Sequence, residues 1–336
     1  RPAGGGGGAG GGGWGGGGGG GGRGPPTPAP ADPVGPCKPV SMPAPSSPWP
    51  PPEIPVLLAG PTASGKSDLA LRLAQDQGRT VVNADALQVH DAWSVLTARP
   101  GAGDLTRAAH ALYGHVARGD DYSVGHWLRE VAPLLRARPA PVIVGGTGLY
   151  FTALTEGLAD IPPVPPEVRA RSGTLLAEGG VAALLAGLDP ATATRIDRRN
   201  PARVQRAWEV LVATGRGLAD WQARTGPALL PEGQAARWLL DPGPALAGRI
   251  AARFDAMLAR GALDEARANL AHWPDAGPAA LWTRAIGAAE LVAHLRGQMS
   301  LPAAREAAIL ATRRYAKRQR TWFRNRMGDW SAAPAG

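Results

Sequence analysis

The sequence predicts an α/β fold: a parallel sheet flanked by helices, interrupted by a helical insertion and closed by C-terminal helices. Three observations predict it. Short apolar runs of strand length alternate with segments of helical period. A glycine-bearing phosphate-binding motif joins the first such run to the first helix. Beyond residue 157 the strand pattern stops, and helices and loops prevail to about residue 225.

Residues 1–53 precede the first element. Residues 4–22 are nearly pure glycine and residues 25–52 are rich in proline. Such a segment buries too little apolar surface to offset its ordering entropy, so a disordered tail is expected. The chain begins at Arg1, and Met42 is the expected true start. Val56-Leu57-Leu58-Ala59 then reads as a buried parallel strand, and residues 67–75 as a helix carrying Leu69, Leu71 and Leu73. Thr80-Val81-Val82 is the second strand. Residues 123–138 have helical spacing at Val124, Trp127, Val131 and Leu135. Pro141-Val142-Ile143-Val144 is the third strand, followed by glycines and a helix from about Leu149. Residues 157–225 form the helical insertion. Arg237-Trp238-Leu239-Leu240-Asp241 returns to the sheet, and the chain is then helical to about Arg326. The predicted core is therefore residues 54–156 with 226–330.

Composition narrows the possibilities. The 336 residues hold 36 Lys+Arg against 27 Asp+Glu, a formal net charge of +9 that suits a polyanionic partner. Cys37 is the sole cysteine, which excludes a disulfide framework and a Cys/His zinc site. A cytoplasmic protein is expected. No apolar run is long enough to span a membrane, so no membrane association is expected.

Gly60-Pro61-Thr62-Ala63-Ser64-Gly65-Lys66-Ser67 fits G-x-x-x-x-G-K-[ST] directly between a strand and a helix, the context of a P-loop NTPase-like core. Such a loop turns backbone N–H groups inward, and the helix N-terminus adds partial positive charge. Lys66 is placed to reach terminal phosphates and the Ser67 hydroxyl to ligate Mg²⁺. The motif leaves open which polyphosphate is held. Motor-type ATPases end a buried strand in a magnesium-holding carboxylate, but residues 141–144 run into Gly145-Gly146-Thr147. The strand that does reach a carboxylate is the second, at Asn83-Ala84-Asp85, on the sheet edge where ligands bind.

Taken together, the motifs resemble those of the tRNA dimethylallyltransferase family. The phosphate loop matches almost letter for letter. Asp85-Ala86-Leu87-Gln88-Val89 is similar to the family's Asp-Ser-x-Gln-Val, and Thr97-Ala98-Arg99-Pro100 to its Thr-Ala-Lys-Pro. Gly145-Gly146-Thr147-Gly148-Leu149-Tyr150 resembles Gly-Gly-Thr-x-Leu-Tyr. Arg203-Val204-Gln205-Arg206-Ala207-Trp208-Glu209-Val210 and Arg249-Ile250-Ala251-Ala252-Arg253-Phe254 resemble two arginine motifs. Ala316-Lys317-Arg318-Gln319-Arg320-Thr321-Trp322-Phe323-Arg324 resembles the C-terminal one. The matches fall in order across about residues 56–326. Departures are Ala86 for Ser, His90 for Tyr, Val95-Leu96 for Ile-Gly, Asn200 for Asp and Ala288 for Tyr.

The resemblance implies a bacterial-type enzyme using dimethylallyl diphosphate and the anticodon stem-loop of tRNA. It would transfer the prenyl group to N6 of the adenosine 3′-adjacent to the anticodon, in tRNAs reading codons that begin with U, releasing pyrophosphate. It implies that Thr147 and Arg253 join Lys66 around the phosphates, and that Asp85 is the general base. The RNA must give up a flipped base. On the last helix Arg313, Lys317, Arg320 and Arg324 share a face by spacing, with Arg314 and Arg318 beside it. Few acidic residues accompany that stripe, which favours RNA contact. Arg203 and Arg206 form a further i, i+3 pair. The resemblance adds Ala86, Leu87, Gln88, Thr147, Arg169 and Arg284 as tRNA contacts, and reads the insertion as a mobile lobe closing over tRNA. A monomer is expected. A P-loop kinase or ATPase, an adenylate isopentenyltransferase acting on free nucleotide, and a non-catalytic RNA-binding module are the competing readings.

Overall fold

The computed structural model describes residues 48–275 and 280–334. Residues 1–47, which include most of the expected tail and Met42, lie outside the described residues. The described chain runs β1 (Val56–Ala59), α1 (Lys66–Gln77), β2 (Val81–Asn83), α2 (Ala102–Arg107), β3 (His110–Ala111), α3 (Val124–Leu134), β4 (Val142–Gly145) and α4 (Gly148–Glu156). Four helices follow: α5 (Pro166–Ala186), α6 (Pro190–Arg195), α7 (Pro201–Thr214) and α8 (Leu218–Gln222). The chain then returns through β5 (Ala236–Leu239), α9 (Leu246–Ala259), α10 (Ala262–Asn269), α11 (Ala288–Leu295), α12 (Leu301–Arg326) and β6 (Ser331–Ala332).

The strands form one six-stranded sheet in the order β3-β2-β4-β1-β5-β6, with parallel ladders throughout. β1 and β4 are buried at every residue because helices cover both faces, which is why they read as unbroken apolar runs. The register sets Ala59 beside Gly145, and Asn83 beside Val144. The C-terminal ends of β1, β4 and β2 therefore lie side by side, and each leads into one of the predicted motifs. Leu69, Ala70, Leu73 and Ala74 of α1 pack on Val56, Leu58, Val142 and Val144 from one side of the sheet. Trp127 and Val131 of α3, with Phe151 and Leu154 of α4, pack on Leu57 and Ile143 from the other.

Helices α5–α8 lie between α4 and β5 and carry their own small cluster of Leu184, Val204 and Trp208. The long α5 is broken at Gly180, whose φ of 64° is left-handed. Asn200 caps α7 by accepting from the Arg203 N–H at 3.2 Å, the task an Asp would perform there. The α9–α12 helices enclose another cluster, in which Trp93 donates its indole N–H to the Trp282 carbonyl at 2.8 Å.

Several boundaries differ from expectation. The ordered chain begins before residue 54. Trp49 donates to Asp76 at 2.7 Å and packs against Trp238, and Pro50 and Pro51 accept from the buried Arg79 guanidinium at 3.1 and 2.7 Å. The helix expected over 123–138 stops at Leu134, one residue after Pro133, which has no N–H to give to the preceding turn. The short β3 and β6 and the six-residue α2 were not anticipated, since two-residue strands leave no periodic signature.

Candidate active site

The phosphate loop leaves β1 at Gly60, where a Cβ would stand 2.6 Å from the Leu240 carbonyl oxygen, so only glycine fits. It enters α1 at Gly65, whose φ of 94° is left-handed. Arg249 on α9 fastens the loop by donating to the Ser64 carbonyl at 3.1 Å. Lys66 is buried and donates to the Pro61 carbonyl at 3.2 Å. Burial pushes its ammonium down to about 8; the Asp85 carboxylate opposes that shift and Arg253 adds to it. Arg253 is likewise lowered, chiefly by burial, with Asp85 opposing.

Asp85 follows the end of β2. Its backbone N–H is held by the Asn83 side chain at 2.8 Å, and its Oδ1 accepts from the Leu87 N–H at 3.0 Å. Asn83 is fully buried and donates to the Asp85 and Leu112 carbonyls, so the turn that aims the carboxylate is fixed from beneath. The Ala86 N–H donates to the Thr147 hydroxyl at 2.9 Å. Gln88 is turned inward, donating to the Thr97 and Ala98 carbonyls at 2.8 and 2.9 Å.

These groups meet in a cleft of about 770 Å³, counted with its open mouth. Lys66, Ser67, Asp85 and Arg253 line it together with Gln88, Thr312 and Tyr315. Leu87, Leu96, Ile250, Phe254, Met257 and Ile286 line the same cleft with apolar side chains. Tyr315 and Tyr113 both have raised pKa values, chiefly from burial, with Asp85 adding to the effect, so both hydroxyls stay protonated near neutrality. Ser67 offers a hard oxygen donor. Among the described residues no group of three or more His, Cys, Asp or Glu is placed to hold a metal. The donor set fits a Mg²⁺ that arrives with phosphate oxygens and keeps most of its water, and does not fit a cation caged by protein alone.

The structure thus brings Lys66, Ser67, Asp85, Leu87, Gln88 and Arg253 to one cleft; Thr147 and Ala86, which hydrogen-bond each other, stand next to lining residues but do not line it themselves. The expected RNA-contacting cations lie outside it. Lys317, Arg318, Arg320 and Arg324 are exposed on α12, and Arg203 and Arg206 on α7. Arg284 is exposed on the 3₁₀ turn before α11. Arg169 on α5 pairs with Asp121 at 3.1 Å, across from the loop preceding α3. Arg320 pairs with Asp241 at 2.8 Å, so this face has an acidic partner that spacing along the helix could not show. Trp322 is half-buried against Gly148. Arg249, Tyr315 and Gln319 were given no role from sequence. For Arg249 a signal existed, because it stands one turn before Arg253.

Comparison with known proteins places this geometry. A family model described as IPP transferase matches residues 88–326, and one described as isopentenyl transferase matches residues 54–113. A protein named tRNA dimethylallyltransferase from Dinoroseobacter shibae is 65% identical over 286 residues, covering 84% of this chain and 95% of the relative. One of the same name from Cereibacter sphaeroides is 60% identical over 301 residues, covering 88% and 95%. Among solved structures, the tRNA isopentenylpyrophosphate transferase of Bacillus halodurans aligns with a TM-score of 0.55 at 29% identity, covering 82% of this chain and 88% of that one. A eukaryotic dimethylallyltransferase acting on tRNA aligns with a TM-score of 0.66 at 26% identity, covering 80% and 70%. With a phosphate loop, a carboxylate and an apolar wall around one cleft, and these relatives across most of its length, this chain belongs to the tRNA dimethylallyltransferase family.

Proposed function

We propose that the protein transfers the dimethylallyl group of dimethylallyl diphosphate to N6 of the adenosine 3′-adjacent to the anticodon, in tRNAs reading codons that begin with U, and releases pyrophosphate. The observation that carries this is the double character of one cleft: Lys66, Ser67 and Arg253 on its walls, and Leu87, Leu96, Ile250, Phe254, Met257 and Ile286 on the same walls. An allylic diphosphate needs both, a grip for phosphate oxygens and an apolar recess for five carbons.

In the proposed reaction the adenine N6 attacks the allylic C1, the C1–O bond breaks, and the electron pair leaves with pyrophosphate. Charge grows on the leaving oxygens, and Lys66, Arg253 and the backbone N–H groups of the loop meet it already in place. Ser67 would help hold a Mg²⁺ through its hydroxyl, and that ion would supply further positive charge to the departing diphosphate. The N6 lone pair is delocalised into the ring, so the amine attacks well only as its proton is removed. Asp85 accepts that proton; Asn83 holds its backbone and the Leu87 N–H holds its carboxylate in position. Closure of α5–α8 over the RNA would exclude water from the allylic centre. The exposed cations of α12 and α7 hold the RNA backbone.

The test is incubation with labelled dimethylallyl diphosphate, Mg²⁺ and unmodified tRNA, followed by nucleoside analysis. Label is expected in N6-dimethylallyladenosine. Asp85→Ala is expected to slow transfer by at least about a hundredfold while tRNA still binds. Label absent from RNA but phosphate released from ATP would favour a kinase or ATPase instead. Near-normal transfer by Asp85→Ala would remove that residue from the mechanism.

A further inference from the structure

We propose that Gln319 is a positioning residue: its side-chain amide transmits the placement of the RNA-facing helix α12 to the diphosphate cradle. The proposal rests on the functional reading above and adds to it a link between the two substrates' sites.

Tyr315, Gln319 and Trp322 recur at i, i+4 and i+7 on α12 and so share one face. That face lies on the three residues that leave β4. Tyr315 lies beside Thr147, and Trp322 covers Gly148. Gln319 is 6% exposed and bridges two loops. Its Oε1 accepts from the Thr62 N–H of the phosphate loop at 2.9 Å, and its Nε2 donates to the Gly146 carbonyl at 2.8 Å. One bond needs an acceptor and the other a donor, so an amide satisfies both where a carboxylate or an apolar side chain of equal length does not. The approach is close enough to exclude other side chains opposite. A Cβ on Gly146 would stand 2.3 Å from Gln319 Nε2, and one on Gly148 would stand 2.2 Å from Trp322.

The adjacent turns of α12 carry exposed Lys317, Arg318 and Arg320. One helix thus presents cations outward and fastens Thr62 and Gly146 inward: Lys317 stands two residues before Gln319, and Arg318 and Arg320 stand on either side of it, steps of about 100–200° around the helix. Any displacement of α12 on engaging RNA is delivered through two hydrogen bonds to the loop that contains Lys66 and to the turn beside Asp85. Binding at one site then changes affinity at the other by the same factor, as linkage requires.

The experiment uses the full chain, an anticodon stem-loop and a non-transferable dimethylallyl diphosphonate with Mg²⁺. Diphosphonate affinity is measured with and without RNA, alongside kcat and KM for both true substrates. In the unaltered protein the stem-loop is expected to tighten diphosphonate binding at least about fivefold. Gln319→Met, which keeps length and packing but makes neither bond, is expected to bring that factor to within about twofold and to lower kcat about tenfold. Its affinity for the stem-loop alone should stay within about twofold of the original, because the α12 cations are untouched. Gln319→Glu, which can still accept from Thr62 but cannot donate to Gly146, is measured in the same way in case the Met variant fails to fold. Full coupling and kcat in either folded variant, or no coupling in the unaltered protein, overturns the proposal. The affinities need no turnover, so failure here is distinct from failure of the unaltered protein to prenylate RNA.

Discussion

At the scale of single residues, the cleft concentrates charge in a place poor in water. Lys66 shows the effect. Burial holds its ammonium near a pKa of about 8, against the ordinary 10.5. Between those values an unfolded chain keeps a proton that the folded one has released, so this group's contribution to stability rises with pH across that window. Ligand binding has the opposite dependence, because phosphate oxygens want the ammonium. The affinity for dimethylallyl diphosphate in the absence of tRNA should be nearly flat up to pH 8 and then fall by up to about tenfold per unit. Calorimetry in buffers of differing ionisation heat should show proton uptake at pH 8.5, and Lys66→Met should abolish both effects. A flat affinity to pH 10 in the original protein would contradict the assignment. Lys66, Ser67 and Asp85 were legible in the sequence because each sits at a fixed offset from a strand end. Gln319 was not, since its partners Thr62 and Gly146 are brought to it only by the packing of a helix 257 residues beyond the phosphate loop.

At the scale of elements, fully buried strands announced themselves and marginal ones did not. β1 and β4 are unbroken apolar runs, whereas β3 and β6 are two residues each and show neither run nor alternation. The proline-rich stretch misled for a different reason. Prolines lack an N–H yet keep a carbonyl that accepts strongly, and Arg79 collects those acceptors. Only 1% exposed, its guanidinium donates to the carbonyls of Pro50, Pro51, Ile54 and Ala140, and to the Gln77 side chain. This pins residues 50–54 to the sheet. Arg79→Met would leave several of these acceptors without a partner, at roughly 1–3 kcal/mol for each one buried. A loss of at least about 3 kcal/mol is expected, seen as a fall in melting temperature of about 6 °C or more. An unchanged melting temperature would show that water replaces the guanidinium at no cost.

At the scale of the whole molecule, the net charge of +9 is unevenly spread. Exposed Lys317, Arg318, Arg320 and Arg324 stand on one helix, and Arg203 and Arg206 on another. Contacts of this kind displace counterions from RNA, so the KM for tRNA should climb steeply with salt while that for dimethylallyl diphosphate changes less. Lys317→Ala should reduce the slope of log affinity against log salt by about 0.7–1 without changing the choice of base. A slope identical to that of the original protein would place Lys317 off the RNA. Charge balance and helix spacing made this surface readable in advance. The partners of Arg320 and Arg169, Asp241 and Asp121, were hidden because they come from distant parts of the chain.

The walls of the cleft come from the beginning and the end of the described chain: Lys66 and Asp85 from the segments that follow the first two strands, Arg253 and Tyr315 from the last helices. A growing polypeptide on the ribosome therefore possesses a phosphate loop long before it possesses an enclosure for anything greasy. Only when the final helix has emerged and folded back does the chemistry have walls, so a prematurely terminated product lacking that helix would have no complete pocket with which to consume substrate.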